Sequence, residues 1–81
     1  MTAENISLKP KALIGYMVNK SKLSAASIAA LLGRGRYYIF TYTNKGHMPT
    51  VQNLVQIAEV CGYEVHIIGH GEDITVGLED E

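Results

Sequence analysis

Histidine and cysteine are the residues of this chain best suited to metal or nucleophilic chemistry. His66 and His70 lie four positions apart, a spacing that would present both imidazoles to one metal ion if the segment were helical. The segment instead has the alternating pattern of a strand and its turn, and Cys61 is the single thiol. No serine–histidine–acid arrangement, phosphate-binding loop or carboxylate pair in a cleft is evident. We therefore expect no metal, no cofactor and no enzymatic activity, and we expect Cys61 to be a small apolar core residue.

The charged residues are segregated along the chain. Residues 1–50 hold all seven Lys and Arg and one acid, Glu4, which gives a net charge of +6. Residues 51–81 hold the other seven acids and give −7, so the whole chain carries only −1. This pattern predicts a positive face for a polyanion and an acidic part turned away from it. Segregation by chance is the alternative.

The composition is that of one folded domain. An 81-residue chain has room for a single core, and 47% hydrophobic residues are enough to build it. No apolar stretch approaches the roughly 20 residues that a membrane span needs, and the N-terminus lacks the pattern of a signal peptide. A lone cysteine gives no reason to expect an oxidising compartment. We expect a cytoplasmic protein that does not contact membranes.

The elements that would position these residues are mainly helical. A first helix is predicted from Pro10, and a second follows the N-cap Ser24 and stops at Gly33. A third is predicted to begin near Gly35–Arg36, after a Gly-containing turn of about three residues. The apolar spacing predicts that the buried residues of these helices are Leu13, Ile14, Met17, Val18, Ile28, Ala29, Leu31, Leu32 and Ile39.

A fourth helix and a hairpin complete the predicted fold. The helix is capped by Thr50 and ended by Gly62, after a loop that contains Gly46 and Pro49. Its expected inner face consists of Val51, Leu54, Ile57, Ala58 and Cys61. The apolar period then changes toward two, which predicts a β-hairpin over residues 64–78 with a turn-rich spacer at Gly69–Asp73. The expected fold class is therefore mainly α: four helices and a C-terminal β-hairpin in a single domain, residues 1–81.

Residues 10–68 resemble the Xre-type family, the lambda-repressor/Cro-like helix-turn-helix regulators. The resemblance rests on Leu23-Ser24, Ile28-Ala29, Leu32-Gly33, Ile39, Lys45-Gly46, Pro49-Thr50, Leu54, Ile57-Ala58 and Gly62-Tyr63. It implies a helix-turn-helix over residues 24–44. In that motif Ala29 lies where the two helices cross most closely, and Gly33 supplies the positive φ of the turn.

The resemblance also implies a set of DNA contacts, because the family places the start of its third helix in the major groove. The base-facing residues are Arg36, Tyr37, Phe40, Thr41 and Asn44. Arg36 would bind guanine, Asn44 an adenine or a phosphate, and Thr41 a thymine methyl group or a phosphate. The amide of Gly35 at the helix N-terminus would meet a phosphate, and the expected backbone contacts are Lys22, Arg34 and Lys45.

The sequence departs from the family pattern at several positions. Ala25 replaces the glutamine that commonly opens the second helix, and Arg34 replaces an apolar residue after the turn glycine. The third helix is unusually aromatic, and one extra residue lies between Ile39 and Gly46. Tyr37 and Phe40 therefore have an alternative role, packing into the core or against a partner chain, and Tyr38 is expected to be partly buried.

The function that these features predict is a sequence-specific transcriptional regulator of the phage or prophage repressor type. It would bind double-stranded DNA, a palindromic operator, as a homodimer in the cytoplasm, associated with the nucleoid. The hairpin would either pair with a second chain, as the C-terminal strand does in lambda Cro, or simply cover the core. One alternative is an antitoxin or partner-binding module whose acidic C-terminal third meets a basic protein. Another is a degenerate domain that no longer binds DNA, in view of Ala25 and Phe40.

Overall fold

The computed structural model of this chain describes residues 6–78, apart from the side chain of Lys11. Glu4 and the acidic tail at residues 79–81 lie outside the described residues. The described elements are the helices α1 (Pro10–Ser21), α2 (Ala25–Leu31), α3 (Tyr38–Thr43) and α4 (Val51–Val60), followed by the strands β1 (Val65–Gly69) and β2 (Glu72–Val76). The predicted arrangement of four helices and a C-terminal hairpin is confirmed. No helix within the described range is long and apolar enough to cross a membrane.

Short polar side chains begin two of the helices. The hydroxyl of Ser24 accepts a hydrogen bond from the Ser27 amide at 3.0 Å, and Thr50 Oγ1 accepts one from the Asn53 amide at 3.1 Å. Each bond satisfies an amide that the first helical turn leaves free, and each cap is worth about 1 kcal/mol. Both predicted caps are confirmed, and Pro10 occupies the first turn of α1 as predicted.

Two glycines end α2 and α4 with the same hydrogen-bond pattern. Gly33 has φ +70°, its amide donates to Ala30 O at 3.0 Å, and the Arg34 amide donates to Ala29 O at 2.8 Å. Gly62 has φ +89° and begins the matching pair of bonds at the end of α4. This is the Schellman arrangement, which requires a left-handed residue and therefore favours glycine. Both predicted stops are confirmed.

The core lies among the four helices and consists of small and branched apolar residues. Its buried members are Ile14, Met17, Ile28, Ala29, Ile39, Val55, Ile57, Ala58 and Cys61. Cys61 is the buried thiol that the sequence predicted. Burial raises the pKa of this thiol, although a hydrogen bond with Ser21 acts in the opposite direction.

Two residues that were predicted to be buried are exposed, and one buried residue was missed. Leu31 is 66% exposed, because it lies two residues after buried Ala29 and therefore on nearly the opposite side of α2. Val51 was predicted to be buried and is 64% exposed in the first turn of α4. Val55, one turn later on the same side of α4, is 1% exposed and was missed. The period identified the correct side of α4 but not the point along the helix at which burial begins.

The hairpin has the register Val65 opposite Val76 and Ile67 opposite Ile74. Its turn is the pair His70-Gly71, whose φ angles of +48° and +74° are typical of the tight type I′ connection. The turn is therefore shorter than the predicted spacer, because Gly69 and Glu72 already pair. Val65 and Val76 are half-buried at the base of the hairpin, whereas the outer pair is exposed, with Ile67 at 60% and Ile74 at 51%.

Candidate functional site

Packing between α2 and α3 fixes the surface on which the predicted site residues lie. Ile28 and Ala29 of α2 are fully buried, and Ile39 of α3 is 1% exposed. With only a methyl group at Ala29, the side chain adds little bulk to the buried side of α2. Because Ile39 anchors the inner side of α3, the neighbouring residues Phe40 and Thr41 are directed away from the core.

The start of α3 differs from the prediction. The helix begins at Tyr38, so the predicted start near Gly35–Arg36 is wrong, and the connection from α2 covers residues 32–37. The Schellman bonds occupy Gly33 and Arg34, and the Tyr38 amide then donates to Gly35 O at 3.0 Å. Glycine also has a poor helix propensity, which disfavours a helix at Gly35. Gly35 and Arg36 therefore lie in a loop, and the Gly35 amide is not at a helix N-terminus.

Three of the predicted site residues form an exposed stack. The Tyr37 and Phe40 rings are nearly parallel, at 22°, with their centroids 6.1 Å apart. The Arg36 guanidinium carbon lies 5.2 Å from the centroid of the Tyr37 ring, within the range of a cation–π contact. Tyr37 is 64% exposed and Phe40 44% exposed, so neither ring packs into the core. We call Arg36, Tyr37 and Phe40 the aromatic stack.

A shallow depression lies beside this stack. It has a volume of about 340 Å³ and is lined by Tyr37, Phe40, Thr41, Asn44 and Lys45. All five were predicted from the sequence as DNA contacts, and the fold brings them to one surface. Thr41 Oγ1 lies 3.5 Å from Tyr37 O, which leaves only a weak hydrogen bond to the backbone. The surface thus combines apolar rings, a hydroxyl, an amide and an ammonium group.

Arg34 belongs to a different set of contacts. Its guanidinium carbon lies 4.9 Å from the Tyr38 ring centroid, and its Nη2 donates to Asn53 Oδ1 at 3.4 Å. Asn53 Nδ2 in turn donates to the Tyr42 hydroxyl at 3.4 Å, and that hydroxyl donates to the Tyr38 hydroxyl at 3.4 Å. We call Arg34, Tyr38, Tyr42 and Asn53 the tyrosine network. It joins the loop and α3 to α4, a structural role for Arg34 that the sequence did not reveal.

The tyrosine network is partly screened from solvent. Burial, followed by the hydrogen bond and the charge interaction with Tyr42, raises the pKa of Tyr38 to about 12, although Arg34 opposes the rise. The prediction that Tyr38 is partly buried is confirmed. Tyr38 is therefore a neutral hydrogen-bonding group at neutral pH, and its ring meets the Tyr42 ring edge to face at a centroid distance of 5.3 Å.

The predicted lysines lie on separate elements. Lys45 follows α3, its amide donates to Phe40 O at 3.2 Å, and its side chain is exposed beside the depression. Lys22 lies at the end of α1 in the left-handed conformation, with φ +65°. Its side chain is exposed, but it belongs neither to the aromatic stack nor to the lining of the depression.

The hairpin carries a cluster of ionisable side chains that includes two acids, unlike the basic and aromatic surface near α3. His66 Nε2 lies 2.9 Å from Glu64 Oε1, and His66 Nδ1 lies 2.5 Å from Asp73 Oδ1. The hydrogen bond with Glu64, and then that with Asp73, raises the pKa of His66. Within the described residues, no group of three or more His, Cys, Asp or Glu has an arrangement that fits a metal ion. Glu64, His66 and Asp73 form a surface ion-pair cluster, which we call the His66 cluster.

In comparisons with known proteins, no family model, curated protein or solved structure matches the chain.

Proposed function

We propose that this protein is a sequence-specific DNA-binding transcriptional regulator of the repressor type. In this proposal α2 and α3 form a helix-turn-helix, and the loop before α3 and the outer side of α3 enter the major groove. The observation that carries the proposal is the surface formed by the aromatic stack and the depression. Guanidinium, hydroxyl, amide and ammonium groups there surround exposed rings, a mixture that suits base edges and phosphates together.

The distribution of charge supports a polyanionic ligand. The chain has no Asp or Glu between Glu4 and Glu59, and this stretch contains α1, α2, α3 and all seven Lys and Arg. A phosphate backbone approaching the loop and α3 therefore meets positive side chains that no acid on the same elements neutralises. The acids of the hairpin include Glu64 and Asp73, which His66 already engages.

Each residue of the surface has a role in the proposal. Arg36 binds a guanine edge, and its contact with Tyr37 lowers the cost of ordering a long side chain. Asn44 and Thr41 reach an adenine edge or a phosphate. Lys22 and Lys45 bind phosphates, as does the amide of Gly35, now from a loop. Arg34 acts mainly through the tyrosine network, which holds α3 in place.

A homodimer is the form in which such a domain would bind a palindromic site. An isolated two-stranded hairpin is marginally stable in water, and this one leaves Ile67 and Ile74 exposed on one face. A second copy of the chain packed against that face would bury the Ile67 and Ile74 side chains of both copies. Binding to a palindrome then requires the two α3 surfaces to meet half-sites about one helical turn apart. Such a regulator would act in the cytoplasm, at the nucleoid.

Selection of bound duplexes from a random DNA pool tests the proposal. We expect enrichment of a palindrome whose half-sites lie about 10 base pairs apart from centre to centre. Gel-shift titration at moderate salt then compares the selected duplex with a scrambled one. Equal affinity for the two duplexes would overturn sequence-specific regulation.

The variant Arg36→Ala separates base contact from phosphate contact. We expect it to reduce the preference for the selected duplex over the scrambled one by about 1–3 kcal/mol. Lys22→Ala is the matched control, because a phosphate contact should weaken both duplexes alike and lower the salt dependence. If Arg36→Ala also weakened both duplexes equally, Arg36 would be a phosphate contact.

A protein-binding module is the second candidate function. The observation that favours it is the exposed apolar hairpin, where Ile68 is 76% exposed and lies opposite Asp73. A basic protein with an apolar patch, as in an antitoxin pair, would fit this part of the chain. Co-expression with the products of adjacent genes, followed by affinity purification, discriminates the two functions. A stable heteromeric complex whose formation abolishes the homodimer would favour the second.

A further inference from the structure

The surface around α3 is apolar to a degree that phosphate binding does not require. Tyr37 and Phe40 are both exposed, and both line the 340 Å³ depression. Exposed aromatic carbon gains free energy when it is buried against another apolar group. A ligand that supplied only phosphates and polar base edges would not bury these rings against an apolar group, and binding would not gain this free energy.

A DNA duplex offers one main apolar group in its major groove. The faces of the bases are stacked on one another, and the accessible edges are hydrogen-bond donors and acceptors, except for the C5-methyl group of thymine. An exposed aromatic ring that enters the major groove therefore has the thymine methyl as its natural apolar partner. Thr41, whose side chain also carries a methyl group, lines the same depression.

We propose that Tyr37 and Phe40 determine specificity by reading a thymine methyl group in each half-site; this inference rests on the proposed DNA binding. Asn44 lines the same depression and carries the amide donor and acceptor that match adenine. The depression therefore combines an apolar partner for thymine with an amide partner for adenine. The half-site is expected to contain an A·T pair at the position that α3 covers.

Stacking on the bases of single-stranded DNA is a different use of exposed rings. Such binding needs open ring faces. Tyr37 already stacks on Phe40 and lies under the Arg36 guanidinium, so the faces of this ring are partly covered. The geometry therefore favours contact with a small methyl group over insertion of a whole base.

Replacement of thymine by deoxyuracil tests the inference without altering the protein. The duplex selected above is synthesised with each thymine of one half-site replaced in turn, and each affinity is measured by titration. We expect one position at which loss of the methyl group weakens binding about fourfold, the effect of one buried methyl. If that T·A pair is changed to C·G, 5-methylation of the cytosine should restore about fourfold of the loss.

The variant Phe40→Ala assigns the effect to the protein. In this variant the same uracil substitution should change the affinity less than about 1.5-fold, whereas Phe40→Leu should retain most of the discrimination because leucine keeps apolar area. Circular dichroism establishes that both variants are folded. Sensitivity to uracil that is unchanged in Phe40→Ala, or absent at every thymine of the wild-type site, overturns the inference while leaving DNA binding intact.

Two other results distinguish failure of this inference from failure of the proposed function. Single-stranded DNA bound as tightly as the selected duplex would mean that the rings stack on bases, and would overturn methyl reading. Failure to select any duplex would overturn the proposed function, and this inference with it.

Discussion

The isoleucines of the α2–α3 pair are buried, whereas those of the β-hairpin are exposed. Ile28 and Ile39 join α2 to α3 and are at most 1% exposed. On the hairpin, Ile67, Ile68 and Ile74 are each more than half exposed. The helical part closes its own core, whereas the hairpin leaves apolar side chains in contact with water. We therefore propose that the helices supply the stability of one chain, and that the hairpin supplies the surface for association in the proposed dimer.

The largest expected effect tests the helical side of this comparison. Ile39→Ala should lower the free energy of unfolding by about 2–5 kcal/mol, because a fully packed side chain leaves a cavity. Ile67→Ala is the matched control and should change it by less than about 0.5 kcal/mol when the protein is monomeric. Urea unfolding at low protein concentration measures both. Equal losses for the two variants would mean that the hairpin belongs to the core of the single chain.

The next effect tests the hairpin side. Ile74→Lys should raise the dimer dissociation constant by at least about tenfold, since it removes apolar burial from both copies and adds two charges. Thr75→Lys is the control, because it adds the same charge to the opposite face of the hairpin. Analytical ultracentrifugation gives the two constants. A dimer weakened more by Thr75→Lys than by Ile74→Lys would place the interface on the other face.

A smaller effect is expected where the loop meets α4. Arg34→Ala should lower the free energy of unfolding by about 0.5–1 kcal/mol, because the residue is exposed and its bonds to the tyrosine network compete with water. The double variant with Asn53→Ala should lose less than the sum of the single variants, because both residues contribute to one bond. Strict additivity in chemical denaturation would remove Arg34 from the network.

The smallest effect is the pH dependence of the His66 cluster. The pKa of His66 is raised above its ordinary value of 6.5 by Glu64 and then Asp73. The added stability is therefore fully present below pH 6.5, while the carboxylates stay ionised, and is lost as the pH rises through the folded-state pKa. The melting temperature of His66→Gln should fall below that of the wild type at pH 6 and approach it at pH 9. In a protein that carries both Glu64→Gln and Asp73→Asn, adding His66→Gln should lower the melting temperature no more at pH 6 than at pH 9.

Local rules were sufficient to predict most of the fold. Ser24, Thr50, Gly33 and Gly62 each act within a few residues of their own position, and all four mark helix ends as expected. The alternation of apolar residues after Gly62 likewise predicted the hairpin. Of the candidate site, the five residues that line the depression were all among the contacts that the family resemblance implied. For Phe40 and Thr41, the outward position on α3 also follows from the inward position of Ile39.

The remaining features depend on contacts that are distant in sequence. Arg34 meets Asn53, which is 19 positions away, and no local pattern predicts that pair. Val51 is exposed whereas Val55, one turn later, is buried, and the period of a single helix does not show at which turn burial begins. The late start of α3 follows from two glycines close together, since the first completes the Schellman bonds and the second then disfavours helix.

The rate at which the buried thiol of Cys61 reacts with an alkylating reagent can report local opening of this small domain. A thiol reacts as the thiolate, and burial both shields the sulfur and raises its pKa. Alkylation should therefore be slow in the folded state and should become faster when the end of α4 separates from the core. The rate of labelling then measures how often the core opens, and any ligand that clamps the helices together should slow it in proportion.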